Sequence, residues 1–480
     1  MTSTLALIDI GGSSVKVTIR DNSAEKTEST EIALVASTEG KHIYLHPNSL
    51  FVLIIEAMNK CVKKFEHSVN IEKVFISSLR QGFCLIDGTK EVTPIYLNND
   101  TSGDFARADI AKYGSEKIYE ETGHWFAPQL TLPKLINLMR NQPSFKSHSI
   151  RLLFVHDWLA WKFTNQCITE MTLVSAGQMA LIPEKRVHTD LLENFGISPD
   201  ILANIEKFGF DLGCLNSKTL DSLSSNWKET HLYVGGGDSH FLHLGASGNQ
   251  TGRIVVSAGS STPISLLSKS LGKSKTLHPW KSTSFDESMY LLEGNLGYPG
   301  SFFGWLERNG TTPLIIKAIN VSTISKAPTV FGACNMWNEK KWESRPTFSI
   351  LGDYTNSTSY DLALGLTLDY AFALSNQISQ LVADKYEVNE VILTGGGGST
   401  ELQRLLRALI EIPVYLISPE QTVDNIFSIL ENEIVRDINL GNEPEYLDQE
   451  TSQYLREHAK NHALLYEQVE GTRKVLQNVK

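Results

Sequence analysis

The chain opens on two apolar runs separated by four small residues: Leu5-Ala-Leu-Ile-Asp-Ile10, then Gly11-Gly-Ser-Ser14, then Val15-Lys-Val-Thr-Ile-Arg20. In the second run Val15, Val17 and Ile19 alternate with Lys16, Thr18 and Arg20, the period-two pattern of a half-buried strand. Two such runs around a tight turn predict a β-hairpin rather than a strand feeding a helix. The device recurs at Arg253-Ile-Val-Val-Ser-Ala258, Gly259-Ser-Ser-Thr262 and Pro263-Ile-Ser-Leu-Leu267. Between the two copies, apolar spacing predicts helices over 133–139 and 154–163, and Lys73-Val-Phe-Ile-Ser-Ser78 and Pro94-Ile-Tyr-Leu97 predict strands. Further on, Val391-Ile-Leu-Thr394 predicts a strand entering Gly395-Gly-Gly-Gly398. Leu402, Leu405, Leu406 and Leu409 then put one apolar stripe on a helix over 400–409. Residues 450–480 are polar and periodic, the pattern of a terminal surface helix.

A hairpin device near residue 10 and another near residue 260 predict two related α/β domains. The turn-rich stretch Ser247-Gly-Asn-Gln-Thr-Gly252 sets the expected boundary, giving domains 1–247 and 248–480. The 480 residues suffice for two such domains of about 240 residues each. With 41% hydrophobic and 20% charged residues, collagen-like, mucin-like and disordered classes are excluded. A net charge of −11 gives no bulk attraction to nucleic acid or to an anionic membrane, so neither is expected as a partner. Cys61, Cys84, Cys167, Cys214 and Cys334 are scattered, with no C-x-x-C pair, and read as buried free thiols in a reducing compartment. The N-terminus lacks a basic region and Asp9 interrupts its apolar run; no stretch nears the ~18 apolar residues a membrane span requires. A cytoplasmic protein is expected.

The same turns hold the candidate chemistry. Gly11 and Gly12 leave backbone N–H groups open to an oxyanion, while Ser13 and Ser14 add hydroxyl donors. Asp9 is placed to hold a divalent cation through water, and Lys16 to neutralise phosphate charge; an ordinary polar hairpin tip shows the same short pattern. Gly259, Ser260 and Ser261 repeat the donor set. Gly395, Gly396, Gly397 and Gly398 offer bare backbone on which a nucleotide base can lie. No G-K-[ST] follows any of these turns, so they are neither Walker loops nor a Rossmann fingerprint.

In Tyr233-Val-Gly-Gly-Gly-Asp-Ser-His240 a strand ends in three glycines and presents Asp238. A carboxylate there can orient a hydroxyl and accept its proton during phosphoryl transfer, and can equally cap the helix that begins at Ser239. His240-x-x-His243 lacks the glutamate of a zinc-protease helix and is not read as a metal site. Leu79-Arg-Gln-Gly82 and Asn98-Asn-Asp100 place forked donors, amides and a carboxylate at strand ends, the set a hydroxyl-rich ligand requires. Trp125 can stack on a sugar face, whereas Trp158 and Trp161, three apart, suit the core.

Taken in order, these segments resemble the FGGY carbohydrate kinases, ATP-dependent enzymes of the actin/hexokinase/Hsp70-like superfamily. Asp9-Ile-Gly-Gly-Ser-Ser-Val-Lys16 is similar to the first phosphate motif, Gly235-Gly-Gly-Asp-Ser239 to the catalytic-base motif, Ser257-Ala-Gly-Ser-Ser-Thr262 to the second phosphate motif and Thr394-Gly-Gly-Gly-Gly398 to the adenosine motif. Thr122-Gly123, Pro128, Pro133-Lys-Leu135 and His156-Asp-Trp-Leu-Ala-Trp-Lys-Phe-Thr164 resemble internal segments of the family. The resemblance covers roughly residues 5 to 430. It implies two ribonuclease H-like domains flanking a deep cleft, Mg2+ and ATP as cofactors, and Asp238 as base. It places Arg80, Gln81, Asn98, Asp100 and Gln129 where relatives contact substrate hydroxyls or shape that pocket. The substrate implied is a small sugar or polyol, and because family members are often dimers or tetramers, a homodimer is one of the assemblies the resemblance allows.

Three departures qualify the resemblance. Gly12 stands where threonine is usual, Leu405 and Leu409 stand where glutamine and aspartate are frequent, and Asp424-Asn-Ile-Phe427 occupies the neighbourhood of an absent G-A-A segment. They keep open a catalytically weakened sugar-binding or regulatory protein on the same fold, with a nucleotide-dependent chaperone or filament subunit more distant. The segments at 79–82 and 98–100 are nearer the pentulose and autoinducer-2 kinase branches than glycerol kinase, which makes a short ketose the expected substrate.

Overall fold

The computed structural model describes residues 4–21, 23–259, 261–272, 278–297, 299–308, 318–332, 349–352, 356–432, 440 and 446–478. The chain divides into two compact units. One comprises Met1–Leu244 with Lys281–Tyr290 and Ile426–Val435, the other Gly245–Trp280 with Leu291–Asn425 and Arg436–Lys480.

In the first unit the opening apolar runs form β1 (Thr4–Ile10) and β2 (Ser14–Asp21), an antiparallel hairpin extended by β3 (Lys26–Ala33). On the other side of β1 lies β4 (Lys73–Ser78), parallel to it. Beyond come β5 (Asp211–Cys214) and β6 (His231–Gly237), giving the order β5-β6-β4-β1-β2-β3, with β6 parallel to β4. Both faces of β1 are covered, which explains its near-continuous apolar run. Ile8, Ile10, Val15, Val17 and Ile19 are inaccessible, and Leu50, Ile54, Ala57, Met58 and Cys61 of the helix Pro47–Val62 join the same core at helical spacing. Two further helices, α1 (Thr131–Asn141) and α2 (Val155–Thr164), match the sequence pattern closely.

The helix α3 (Asp238–Ser247) follows β6 directly. In the second unit β7 (Arg253–Ser257) and β8 (Pro263–Ser268) form an antiparallel hairpin, with β9 (Tyr290–Asn295) beside β8. The strands β10 (Glu390–Thr394) and β11 (Val414–Leu416) follow β7 in parallel, so the run is β9-β8-β7-β10-β11. The helix predicted over 400–409 is α4 (Thr400–Leu409), capped by the Ser399 side chain on the Leu402 N–H. The terminal helix α5 (Gln449–Asn478) is more than a surface element. Leu455 is inaccessible in the core of the unit, and the His462 ring donates to the Val330 carbonyl at 2.9 Å.

Two expectations need correction. Cys61 and Cys84 are buried thiols, but Cys214 is exposed on β5, and Cys334 lies outside the described residues. Trp125 is no sugar platform: it is buried and stacked on Tyr119, with centroids 4.1 Å apart and planes at 7°.

Candidate active site

Parallel strands lined up in register bring their C-terminal ends to one edge, and the loops leaving that edge converge. In the first unit Lys16, Asp9, Ser77 and Gly236 form one row across β2, β1, β4 and β6, and Ile10, Ser78 and Gly237 form the next. The turn 11–14, the segment 79–82 and Asp238 all leave from those rows. Within the turn the Gly11 N–H donates to Ser14 O at 2.9 Å, and the Leu34 N–H to Ser13 O at 2.8 Å.

Asp9 is partly buried and accepts the Ser77 hydroxyl on Oδ1 at 2.7 Å. Burial raises its pKa above the ordinary carboxylate value, against the pull of Ser77 and the Lys16 charge. A divalent cation would offset that cost. Among the described residues no group of three His, Cys, Asp or Glu could cage a metal. That donor set suits a magnesium ion that takes most of its ligands from phosphate and water and one from a carboxylate. His240 donates through Nε2 to the Thr283 carbonyl at 2.9 Å, so its ring is committed to the fold.

Each glycine of the run before Asp238 has a steric reason. A Cβ on Gly235 would overlap the Ile76 carbonyl oxygen, and one on Gly236 would stand 2.6 Å from the Phe285 ring. On Gly237 it would stand 2.8 Å from Arg80 Cγ, because the arginine stem crosses the strand there. Arg80 thereby brings Nε to 3.7 Å from Asp238 Oδ1; the arginine is 14% exposed and the aspartate 39%. Asp238 also accepts the Ser239 N–H at 2.8 Å, so the carboxylate is at once helix-terminal and open to solvent.

Gln81 holds a left-handed backbone, φ 64°, unusual for a residue with a side chain. Its carbonyl is pinned by Thr131 Oγ1 at 3.1 Å and Lys134 Nζ at 2.8 Å. The same ammonium donates to Leu97 O at 2.8 Å, tying the segment 79–82 to the one that carries Asn98 and Asp100. Burial pushes the Lys134 pKa down to about 7, against the nearby Asp100 charge. The Asp100 carboxylate is itself fully buried, taking the Ile43 N–H at 2.9 Å, the Ser102 N–H at 2.9 Å and the Ser102 hydroxyl. It shapes the loop. Asn98 is partly exposed and lies against the turn: a Cβ on Gly12 would meet its Oδ1 at 3.4 Å. Gln129, two residues before Thr131, has a buried Oε1 with no protein donor.

The sequence pattern passed over the residues that hold these groups in place. Lys134 stood inside a motif without a role. His156 is inaccessible; its Nδ1 donates to Asp157 at 2.9 Å, while its Nε2 accepts the Gly235 N–H at 3.0 Å and braces the glycine run. Glu170 is buried, its pKa pushed up to about 8 by burial, and accepts the Thr172 N–H at 2.7 Å. Thr172 in turn packs on Gly236. Only spacing to the neighbouring motifs could have flagged these residues, because each acts through the backbone of another segment.

In the second unit Ser257 and Thr394 are in register at the ends of β7 and β10. The Gly397 N–H donates to the Ala258 carbonyl at 2.7 Å, joining the turn after β7 to the glycine tract. Gly395 takes φ 90°, and a Cβ there would lie 2.7 Å from Ala258 O. Gly259 donates to Ser261 O at 3.2 Å, Gly396 has no neighbour within 4 Å of its missing side chain, and Gly398 donates to Gly395 O at 3.0 Å. Ser260 lies outside the described residues. The substituted Leu405 is inaccessible in the core of the unit, with Leu409 packed on it, and Gln403 of the same helix donates to Val414 O at 2.8 Å. Asn425 donates to Gly245 O at 2.9 Å.

Solved kinase structures share this fold. The ligand-bound xylulose kinase from Lactobacillus acidophilus aligns with a TM-score of 0.79 at 15% identity, covering 98% of each chain. Glycerol kinase from Plasmodium falciparum with ADP gives 0.78 at 17% identity, covering 96% of this chain and 98% of that one. The class is thus a mixed α/β protein with the fold of these kinases. Residues 4–245 match the FGGY family of carbohydrate kinases, N-terminal domain, and the chain belongs to that family. YoaC of Bacillus subtilis (strain 168), a sugar kinase by name, is 26% identical over 264 residues, 53% of each sequence. Rhamnulokinase of Yersinia pestis bv. Antiqua (strain Angola) is 31% identical over 152 residues, 31% of each. The chain thus spans about half or less of the length of the curated relatives it matches. Among the described residues no helix is long and apolar enough to cross a membrane.

Proposed function

We propose that this chain transfers the γ-phosphoryl group of ATP to a hydroxyl of a small sugar or polyol, most simply a short ketose, in the cytoplasm. The observation that carries the reading is Asp238, held at the end of the glycine run beside Arg80 and above the Asp9–Ser77 row. A carboxylate that is fixed yet solvent-accessible can orient a hydroxyl and take its proton as the oxygen attacks phosphorus. Arg80 steadies that carboxylate and offers further N–H donors to the substrate. Asn98 and the backbone about Gln81, both organised through Lys134, supply donors and acceptors suited to a polyol. The N–H groups of 11–14 and Lys16 would receive phosphate oxygens, with Gly259, Ser261 and the tract 395–398 serving the nucleotide. Magnesium, when bound with ATP, neutralises phosphate charge; Asp9 is the carboxylate suited to its water shell.

The test is a coupled ADP-release assay with Mg-ATP over a panel of ketoses, polyols and the autoinducer-2 precursor. Turnover on one compound, reduced at least about 1,000-fold in Asp238→Asn with sugar binding retained, is the expected result. Undiminished turnover in the variant overturns the base assignment. Absence of both turnover and calorimetric ATP binding favours the weakened sugar-binding reading, for which the buried Leu405 is the supporting observation.

A further inference from the structure

The N-terminal end of β6 carries a second group of reactive side chains that phosphoryl transfer does not use. β5 is the edge strand of the first sheet and runs antiparallel to β6, with Cys214 opposite His231, Asp211 opposite Tyr233 and a register irregularity between them. Cys214 Sγ lies 3.3 Å from His231 Nε2. His231 Nδ1 lies 2.9 Å from one Asp211 carboxylate oxygen and 3.1 Å from the other. Asp211 also accepts the Gly213 N–H at 2.7 Å.

This arrangement assigns the tautomer. Partial burial works against charge on Asp211, but the Gly213 N–H, His231 and Tyr233 outweigh it and hold the carboxyl below the ordinary range. A carboxylate only accepts, so it takes the Nδ1–H and leaves Nε2 with its lone pair toward the thiol. The group is open to solvent: Cys214 is the one exposed cysteine among the described residues, and the side chains of His231 and Asp211 are 41% and 43% exposed. The other described thiols are poorer nucleophiles. Burial pushes Cys61 up to about 11 and raises Cys84 and Cys167 as well. At about 3.3 Å per residue, the seven residues of β6 put this group about 23 Å from Asp238.

We propose that Cys214, with His231 as its base and Asp211 orienting the imidazole, is a covalent modification site for low-molecular-weight disulfides. The Sγ proton passes to His231 Nε2 and the thiolate attacks one sulfur of the disulfide. The new S–S bond forms as the old one breaks, and the leaving half departs as a thiolate that takes the proton back from Nε2. The products are a mixed disulfide on Cys214 and one free small thiol.

Native protein incubated with glutathione disulfide at neutral pH, followed by mass spectrometry of each cysteine, tests this. Cys214 is expected to be occupied first. His231→Asn should slow its modification about tenfold or more and Asp211→Asn by less, with the Cys167 rate unchanged as internal reference. Cys214→Ser should remove the adduct and leave phosphoryl transfer as in the parent chain. Thermal melts of the variants establish that they fold. An equal Cys214 rate in the parent and in folded His231→Asn overturns the proposal, as does reaction no faster than that of a free model thiol.

Discussion

In the first unit the hairpin β1–β2 is joined in parallel by β4 and then β6; in the second the hairpin β7–β8 is joined in parallel by β10 and then β11. The strand ends differ. Those of the first unit carry Asp9, with Ser77 bonded to it, and Arg80 beside Asp238, the charged and polar side chains on which the proposed reading rests. At the end of β10 in the second stand four glycines whose exposed groups are backbone. One scaffold can carry two kinds of strand end because loops at an edge of parallel strands can change without disturbing the ladder behind them. Glycine also does different work in the two places. In β6 it admits a neighbouring strand and an arginine stem; in the second tract Gly395 likewise admits the Ala258 backbone, whereas Gly396 faces open space.

The contrast can be broken most severely at Gly235. Gly235→Ala should cost more than about 4 kcal/mol, read as loss of soluble protein or a collapsed melting temperature, since its Cβ has only the Ile76 backbone to displace. A variant melting with the parent chain would show that the β6–β4 contact is not what demands glycine.

A smaller effect is expected at Lys134. Lys134→Met removes the ammonium donor from the Gln81 and Leu97 carbonyls, leaving them the Thr131 hydroxyl and the Asp100 N–H, at about 1–3 kcal/mol, and should raise KM for the sugar about tenfold with kcat changed less. The pH course separates this from general damage. The folded-state pKa is near 7, whereas the unfolded lysine titrates near about 10.4. Between these values the unfolded chain holds one proton more, so Lys134 makes stability rise with pH, by about 1.4 kcal/mol per unit relative to Lys134→Met. Below pH 7 both states are protonated and the slope vanishes. Parallel stability curves for the two proteins from pH 7.5 to 9, measured by denaturant titration at about half-unit steps, would refute the lowered pKa of Lys134.

The smallest stability effect belongs to Gly396→Ala, within about 0.5 kcal/mol, because nothing lies near the added methyl group. If the tract holds the nucleotide, calorimetry should nonetheless show ATP binding weakened by about 1 kcal/mol. Unchanged affinity would remove Gly396 from the nucleotide site and weaken the contrast between the units.

Both hairpins, the strand Lys73–Ser78, the glycine-fed helix Thr400–Leu409 and the helix on either side of Trp158 followed from periodicity and turn residues, which are local properties of the chain. The motif order also sufficed for the family. Periodicity could not separate Asp238, which stays accessible, from Asp100, whose carboxylate is consumed by the Ile43 and Ser102 donors. Both are acidic residues that follow strands, and the partners Ile43 and Arg80 that set them apart lie on other segments.

The sequence by itself determined the class of fold, the two hairpin devices and the residue types available at their tips. It did so because alternation, glycine turns and helical stripes are written in neighbouring residues. Only the tertiary structure decided that Lys134 spans two loops, that His156 braces Gly235, that Arg80 lies over Gly237, and that Cys214 meets His231 across an edge ladder. Each of these depends on strand register and on burial, which are set by residues tens of positions apart and leave no period in the chain.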